Sequence, residues 1–168
     1  MMSRQLIFVV ESTNEGTDNK YIDTIVKNFY DVSSYKFSFV FSGGIGNIVN
    51  EKKKKDINRL IRNYDGESIV ILCVDTDSLQ VQECKKLHAT IEGFAHSKKY
   101  EFVWFCETIE EVIWKSRVTK TEKSKKSDEF LRKQDTFRYS EITLKSSVKA
   151  KKKSNLLIIC DKYLVRKL

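Results

Sequence analysis

The chain reads as an α/β protein: a mostly parallel sheet with helices on both faces. Three observations predict this. Apolar runs of strand length recur, stretches with a helical repeat separate them, and turn residues punctuate the joins. A length of 168 residues suits one domain with a core of its own.

"QLIFVV" (5–10) is the first strand. In "DNKYIDTIVKNFYDV" the residues Tyr21, Ile22, Ile25, Val26, Phe29 and Tyr30 recur at three and four, the stripe of an amphipathic helix. "KFSFVFS" (36–42) is the second strand, closed by Gly43-Gly44. "EKKKKDINRLIRNY" (51–64) turns Ile57, Leu60 and Ile61 inward as a helix, and Asp65-Gly66 ends it. "SIVILCV" (68–74) is the most continuously apolar run and suits a central parallel strand. A helix over about 79–95 follows, then a fourth strand, "EFVWFC" (101–106). The next helix starts near Thr108, with Thr108 as N-cap and Glu111 at the third helical position. The expectation is a four-stranded Rossmann-like sheet with right-handed crossovers over residues 1–116.

Beyond residue 117 the pattern loosens. "SRVTKTEKSKKSDEF" and "KAKKKSN" are rich in lysine and serine and read as loose, mobile stretches. "NLLIICDKYLVRKL" (155–168) reads as a closing helix capped by Ser154 or Asn155. Residues 117–168 are thus expected to form a basic, helical extension packed on the core of a single domain.

Charge divides along the same line. Residues 1–114 hold 14 Lys/Arg against 17 Asp/Glu, net −3, and residues 115–168 hold 17 against 6, net +11. Such asymmetry points to a polyanion, and nucleic acid is the expected partner. The candidate contacts are Lys52, Lys53, Lys54 and Lys55, Lys125 and Lys126, and Lys151, Lys152 and Lys153. The plain alternative is a solvated, lysine-rich surface. No segment approaches the ~18 uninterrupted apolar residues of a membrane span, and the N-terminal run lacks a cleavage site, so it reads as a strand and not a signal peptide. Cys73, Cys84, Cys106 and Cys160 form no C-x-x-C pair, and three lie in apolar runs. Reduced buried thiols and a cytoplasmic protein are expected. His88 and His96 have no ligand-spaced partners for a zinc site.

In open α/β sheets, sites form outside the C-terminal ends of the strands. Here those ends carry Glu11, then Gly43-Gly44, then Asp75 and Asp77, then Glu107 and Glu110. Crowded like charges raise free energy unless a cation is present, and hard oxygen ligands suit Mg²⁺ or Mn²⁺. On an extended segment Asp-x-Asp aims both carboxylates to one side, because the strand period is two. Glu11, Asp75 and Asp77 are the expected metal ligands. The alternatives are a helix-capping carboxylate at Glu11 and an Asx-turn at Asp75 and Asp77.

These residues carry a resemblance. "VVES" after the first strand, a glycine pair after the second and "CVDTDS" after the third resemble the Toprim domain, the fold of topoisomerases, primases, small ribonucleases and OLD-type nucleases. With "CETIEEVIW" after the fourth strand, the chain looks most like the RloB-like, abortive-infection branch of phage-defence proteins. The likeness covers roughly residues 5–115. It implies a catalytic set of Glu11, Asp75, Asp77 and Glu110, with Glu107 as rival to Glu110. Glu11 would be a metal ligand or general acid/base, and Mg²⁺ or Mn²⁺ the cofactor. The pattern departs at Ser12, where the family carries glycine, so an altered site is a corresponding expectation.

The reaction implied is metal-assisted hydrolysis of a phosphodiester in RNA or DNA, in phage defence. The alternative implied is a non-catalytic Toprim-like sensing or binding module acting with a separate ATPase, since the chain has no G-x-x-x-x-G-K-[ST] loop of its own. "SGGIGNIVN" departs from the dinucleotide fingerprint at Val49 and follows the second strand, which argues against NAD or FAD. A receiver-like phosphoacceptor role for Asp75 lacks a placed Lys/Thr pair.

Overall fold

The computed structural model describes residues 3–13, 16–77, 80–134 and 140–168. Ser78, which ends the CVDTDS motif, and the first residue of the helix expected from 79 lie outside them. The strand-and-helix alternation is as the periodicity predicts. β1 (Arg4–Val10) leads to α1 (Asp18–Phe29) and a short β2 (Tyr30–Asp31). β3 (Tyr35–Phe41), α2 (Glu51–Arg62), β4 (Glu67–Asp75), α3 (Gln82–Lys98), β5 (Glu101–Cys106) and α4 (Ile109–Trp114) follow. The C-terminal third adds α5 (Lys123–Arg132), α6 (Glu141–Leu144), β6 (Lys153–Ser154), α7 (Leu156–Cys160) and β7 (Val165–Arg166).

The main sheet runs β3-β1-β4-β5-β6. β3, β1, β4 and β5 are parallel, and β6 is antiparallel to β5. The sheet therefore has five strands, not the four expected. The fifth arises because β5 would otherwise expose an edge of unpaired backbone groups. The Asn155 side chain receives a hydrogen bond from Trp104 N at 2.9 Å and donates one to Phe102 O at 2.9 Å, and the two residues of β6 pair beyond it. A two-residue strand has no periodicity for a sequence to show.

Strand period two divides the core. Leu6, Phe8 and Val10 of β1, with Ile69, Ile71 and Cys73 of β4, pack under α1, α4, α5 and α7. Ile7 and Val9, with Val70, Leu72 and Val74, face α2 and α3. The chain leaves β1 toward β3 over one face and returns to β4 over the other. The topological switch point thus lies between the C-terminal ends of β1 and β4.

Two readings of the C-terminal third change. The closing helix stops at Cys160, and the chain then turns so that β7 pairs antiparallel with β2. Asp161 holds that turn: it accepts from Arg166 Nε at 2.6 Å and Tyr30 OH at 2.7 Å and pairs with Lys145 at 2.7 Å. These donors hold its carboxyl well below the usual range despite partial burial. The lysine-rich stretch after 117, read as loose, contains α5, whose Phe130 is fully buried with its ring 4.9 Å from that of Tyr21. Its apolar positions are too few to stand out among the lysines, yet one large aromatic suffices to dock it. Cys73, Cys106 and Cys160 are buried free thiols and Cys84 is half-buried. Among the described residues, no helix is long and apolar enough to cross a membrane.

Docking of α5 through Phe130 has a measurable cost. Phe130→Ala should lower unfolding free energy by about 3–5 kcal/mol in urea denaturation, whereas the exposed Lys125→Ala should stay within about 0.5 kcal/mol. Equal effects from the two would mean that α5 is not anchored through its aromatic face.

Candidate functional site

β1 and β4 run in register with Val9 beside Leu72, so Glu11 arrives beside Val74, one residue short of Asp75. Its Oε1 accepts a hydrogen bond from Asp75 N at 2.7 Å. Asp75 continues the side of β4 that carries Ile69, Ile71 and Cys73, which is the face of α4. There its Oδ1 accepts from Ile109 N, the first residue of α4, at 2.9 Å. The opposite side of Asp75 is held by His88, whose Nε2 lies 3.1 Å from its carbonyl oxygen.

Two further acids close on the same crevice. Thr108 caps α4 by accepting from Glu111 N at 3.2 Å, as the sequence predicts, and this leaves Glu110 facing inward. Glu110 is fully buried. Its Oε1 accepts from Thr17 Oγ1 at 3.2 Å and pairs with Lys123 Nζ at 3.3 Å, while its Oε2 is buried without a hydrogen-bond partner. Asp18, in the first turn of α1, accepts from Ser12 N at 3.2 Å. Thr17, the N-cap of that helix, gives its hydroxyl to Glu110 and not to its own first turn.

The crevice is electrostatically loaded. Burial, opposed by the Asp75 amide and raised further by Asp77 and Asp18, pushes the Glu11 carboxyl up to about 8. Burial and then the charges of Asp18, Glu11 and Glu110 push Asp75 well above the carboxylate range. Burial and Glu110 raise Asp18. Lys123, at the start of α5, is the cation that lowers all three, and Glu110 and Asp75 raise its own pKa against its partial burial.

The structure thus brings Glu11, Asp75 and Glu110 together and leaves Asp77 and Glu107 on the outer rim. Asp77 is exposed and takes a left-handed φ of 49°, so the extended Asp-x-Asp geometry does not hold. Its N–H donates to Glu107 O at 3.0 Å, and the Glu107 carboxylate lies 3.8 Å from Lys151. Ser12 does not adopt a positive φ, so this backbone does not need glycine at that position. Asp18 and Lys123 were missed from sequence. An acid in a helix's first turn reads as a favourable helix-dipole partner, and Lys123 is one lysine among many. The candidate nucleic-acid lysines do not share one surface: α2, with Lys52–Lys55, packs on one face of the sheet, and α5, with Lys125 and Lys126, packs on the other. Lys126 also lies over the Trp114 ring at 4.4 Å.

The donor set is all hard oxygen, and Glu110 Oε2 is an orphaned buried acceptor, so the chemistry fits a divalent cation. Among the described residues, no three such side chains stand ready at ligating geometry. Glu11 and Asp75 each spend one oxygen on a backbone amide, and among the described residues the second oxygen of each has no hydrogen bond. No protein-family model matches the chain, and no curated protein is detectably similar to it.

Because the folded pKa of Glu11 lies above the ordinary 4.5, the folded state holds more protons between that value and about 8. Stability should therefore be fullest below pH 4.5 as far as this group is concerned, and decline as pH rises through about 8. Asp18 and Asp75 act in the same direction. Urea midpoints measured in EDTA across this window should fall with pH, and Glu11→Gln should flatten the fall. A variant with the wild-type slope would contradict this assignment.

Proposed function

We propose that the chain is a Toprim-like, metal-dependent nuclease that hydrolyses phosphodiesters in RNA or DNA and serves phage defence. The observation that carries this reading is the buried Glu110, with an unpartnered oxygen, in a crevice shared with Glu11, Asp75 and Asp18 at the switch point of the sheet. Four carboxylates crowded around one lysine carry excess negative charge, which a cation relieves.

Glu11, Asp75 and Glu110 would hold Mg²⁺ or Mn²⁺, with Asp18 beside them. The ion would supply Lewis-acid stabilisation of the phosphoryl oxygens and an activated water. The chain's own groups have separate tasks. The amides of Asp75 and Ile109 fix the directions of the Glu11 and Asp75 carboxylates. A bound cation would oppose the burial that raises the Glu11 carboxyl to about 8 and would hold it as the ligating carboxylate. Lys123 partly offsets the charge of the carboxylates and pairs with Glu110 at 3.3 Å. Asp77, on the outer rim, would act on solvent or substrate and not as an inner ligand.

One observation favours a second reading. The Lys123–Glu110 ion pair at 3.3 Å neutralises part of the crevice without a metal, as a non-catalytic module acting with a partner ATPase would require. The two readings separate in one experiment. Labelled single- and double-stranded RNA and DNA are incubated with Mg²⁺ or Mn²⁺ and wild type, Glu11→Gln or Asp75→Asn. Gln and Asn can each still accept the amide hydrogen bond, so both variants should fold. Metal-dependent cleavage reduced at least about 100-fold in both variants is expected, together with a metal-induced rise in wild-type melting temperature at pH 8. No cleavage of any substrate by folded wild type would move the function to the binding module, for which co-elution with a candidate ATPase is the measurement.

A further inference from the structure

A cleft of about 690 Å³ opens on the same rim, where β4 and β5 end. Its lining carries three carboxylates, Asp77, Glu107 and Glu111, and three cations, Arg117, Lys151 and Lys152. It adjoins the acidic crevice, since Asp77 acts electrostatically on Glu11. The cations come from the loop after α4 and from the turn before β6, both within the basic C-terminal third.

These cations are poorly neutralised. Lys151 reaches Glu107 only at 3.8 Å and is largely exposed. Among the described residues, the Arg117 and Lys152 side chains make no ion pair or hydrogen bond. Lys152 stands in the left-handed region at φ 60°, a conformation that glycine adopts more easily, and its N–H is spent on Cys106 O. Its charge also lies close enough to Lys115 to add to burial in lowering that lysine's pKa. A lysine whose charge opposes that of its neighbour, beside an arginine with no ion pair among the described residues, in a concave site, is the arrangement an anion relieves.

We infer that this cleft holds the sugar–phosphate backbone of a nucleic-acid strand entering the acidic crevice, with Arg117 and Lys152 pairing a phosphate next to the scissile one, and that it does so without reading bases. The inference rests on the nuclease reading for the strand's direction of entry. Base-blindness follows from the lining: its described residues include no aromatic on which a base could stack, and Val118 is the apolar one. The volume lies within the ~300–1,000 Å³ range of small-ligand sites, enough for a short stretch of single strand.

The test is equilibrium binding of short labelled single-stranded oligonucleotides to the full chain in EDTA, where cleavage is silent. Wild type is compared with Arg117→Ala/Lys152→Ala, both exposed positions, and with Lys86→Ala/Lys98→Ala on α3 as charge-matched control. The cleft variant should bind about tenfold more weakly, and its log–log salt slope should shrink by about 1.4, or ~0.7 per lost charge. The control should stay within about twofold of wild type. Poly-pyrimidine, poly-purine and abasic strands should bind wild type about equally. Wild-type affinity and slope in the cleft variant would overturn the inference, as would failure of wild type to bind any strand. Loss of affinity for abasic strands would overturn base-blindness. Metal-dependent cleavage combined with unaltered binding by the variant would sink the cleft alone. Weakened binding by the variant without cleavage under any condition would support the cleft and sink the nuclease reading.

Discussion

Two carboxylate-to-amide hydrogen bonds in series tie the structure together at its working end. Glu11 takes the amide of Asp75, and Asp75 takes the amide that opens α4. The end of β1, the end of β4 and the start of α4 are thereby fixed to one another. Each bond satisfies a backbone donor that strand or helix geometry leaves open at a terminus. The same two bonds pull two acids out of water and into each other's field. The link that completes the fold also creates the electrostatic load, and the loaded crevice follows from how the sheet ends.

The load is distributed and not cancelled. Asp18 and Glu110 join from helices on the same face of the sheet, and Lys123 answers from α5. One lysine against four carboxylates leaves a deficit, visible in the raised pKa of Glu11, Asp18 and Asp75 and in the orphaned oxygen of Glu110. A protein optimised only for stability would replace such a group with an apolar one. Retaining it, at the topological switch point where open sheets bind ligands, is the physical basis for reading the crevice as a site.

The C-terminal third is part of this arrangement. α5 brings Lys123 and is docked by Phe130, and the turn before β6 brings Lys151 and Lys152 to the rim beside Glu107. The basic extension therefore contributes cations to the acidic face of the sheet, and the charge asymmetry along the sequence becomes local complementarity in space.

Apart from the two-residue β2, the order of strands and helices through α4 was legible from hydrophobic period alone, because burial on both faces demands it. So were Thr108 as N-cap and the arrival of Glu11, Asp75 and Glu110 at one rim, since strand ends in a parallel sheet share an edge. Period could not reveal β6, β2 or β7, which are two residues long, nor α5, whose single aromatic anchor is diluted by lysines. Asp18 and Lys123 joined the site through packing between distant elements, and Asp77 left it through one left-handed residue that turned its carboxylate off the strand's repeat. Sequence by itself determined which local elements form and which acids lie at their ends, because those depend on neighbours along the chain. Only the tertiary structure decided which acids are buried together and which cation answers them, because burial and charge coupling depend on neighbours in space.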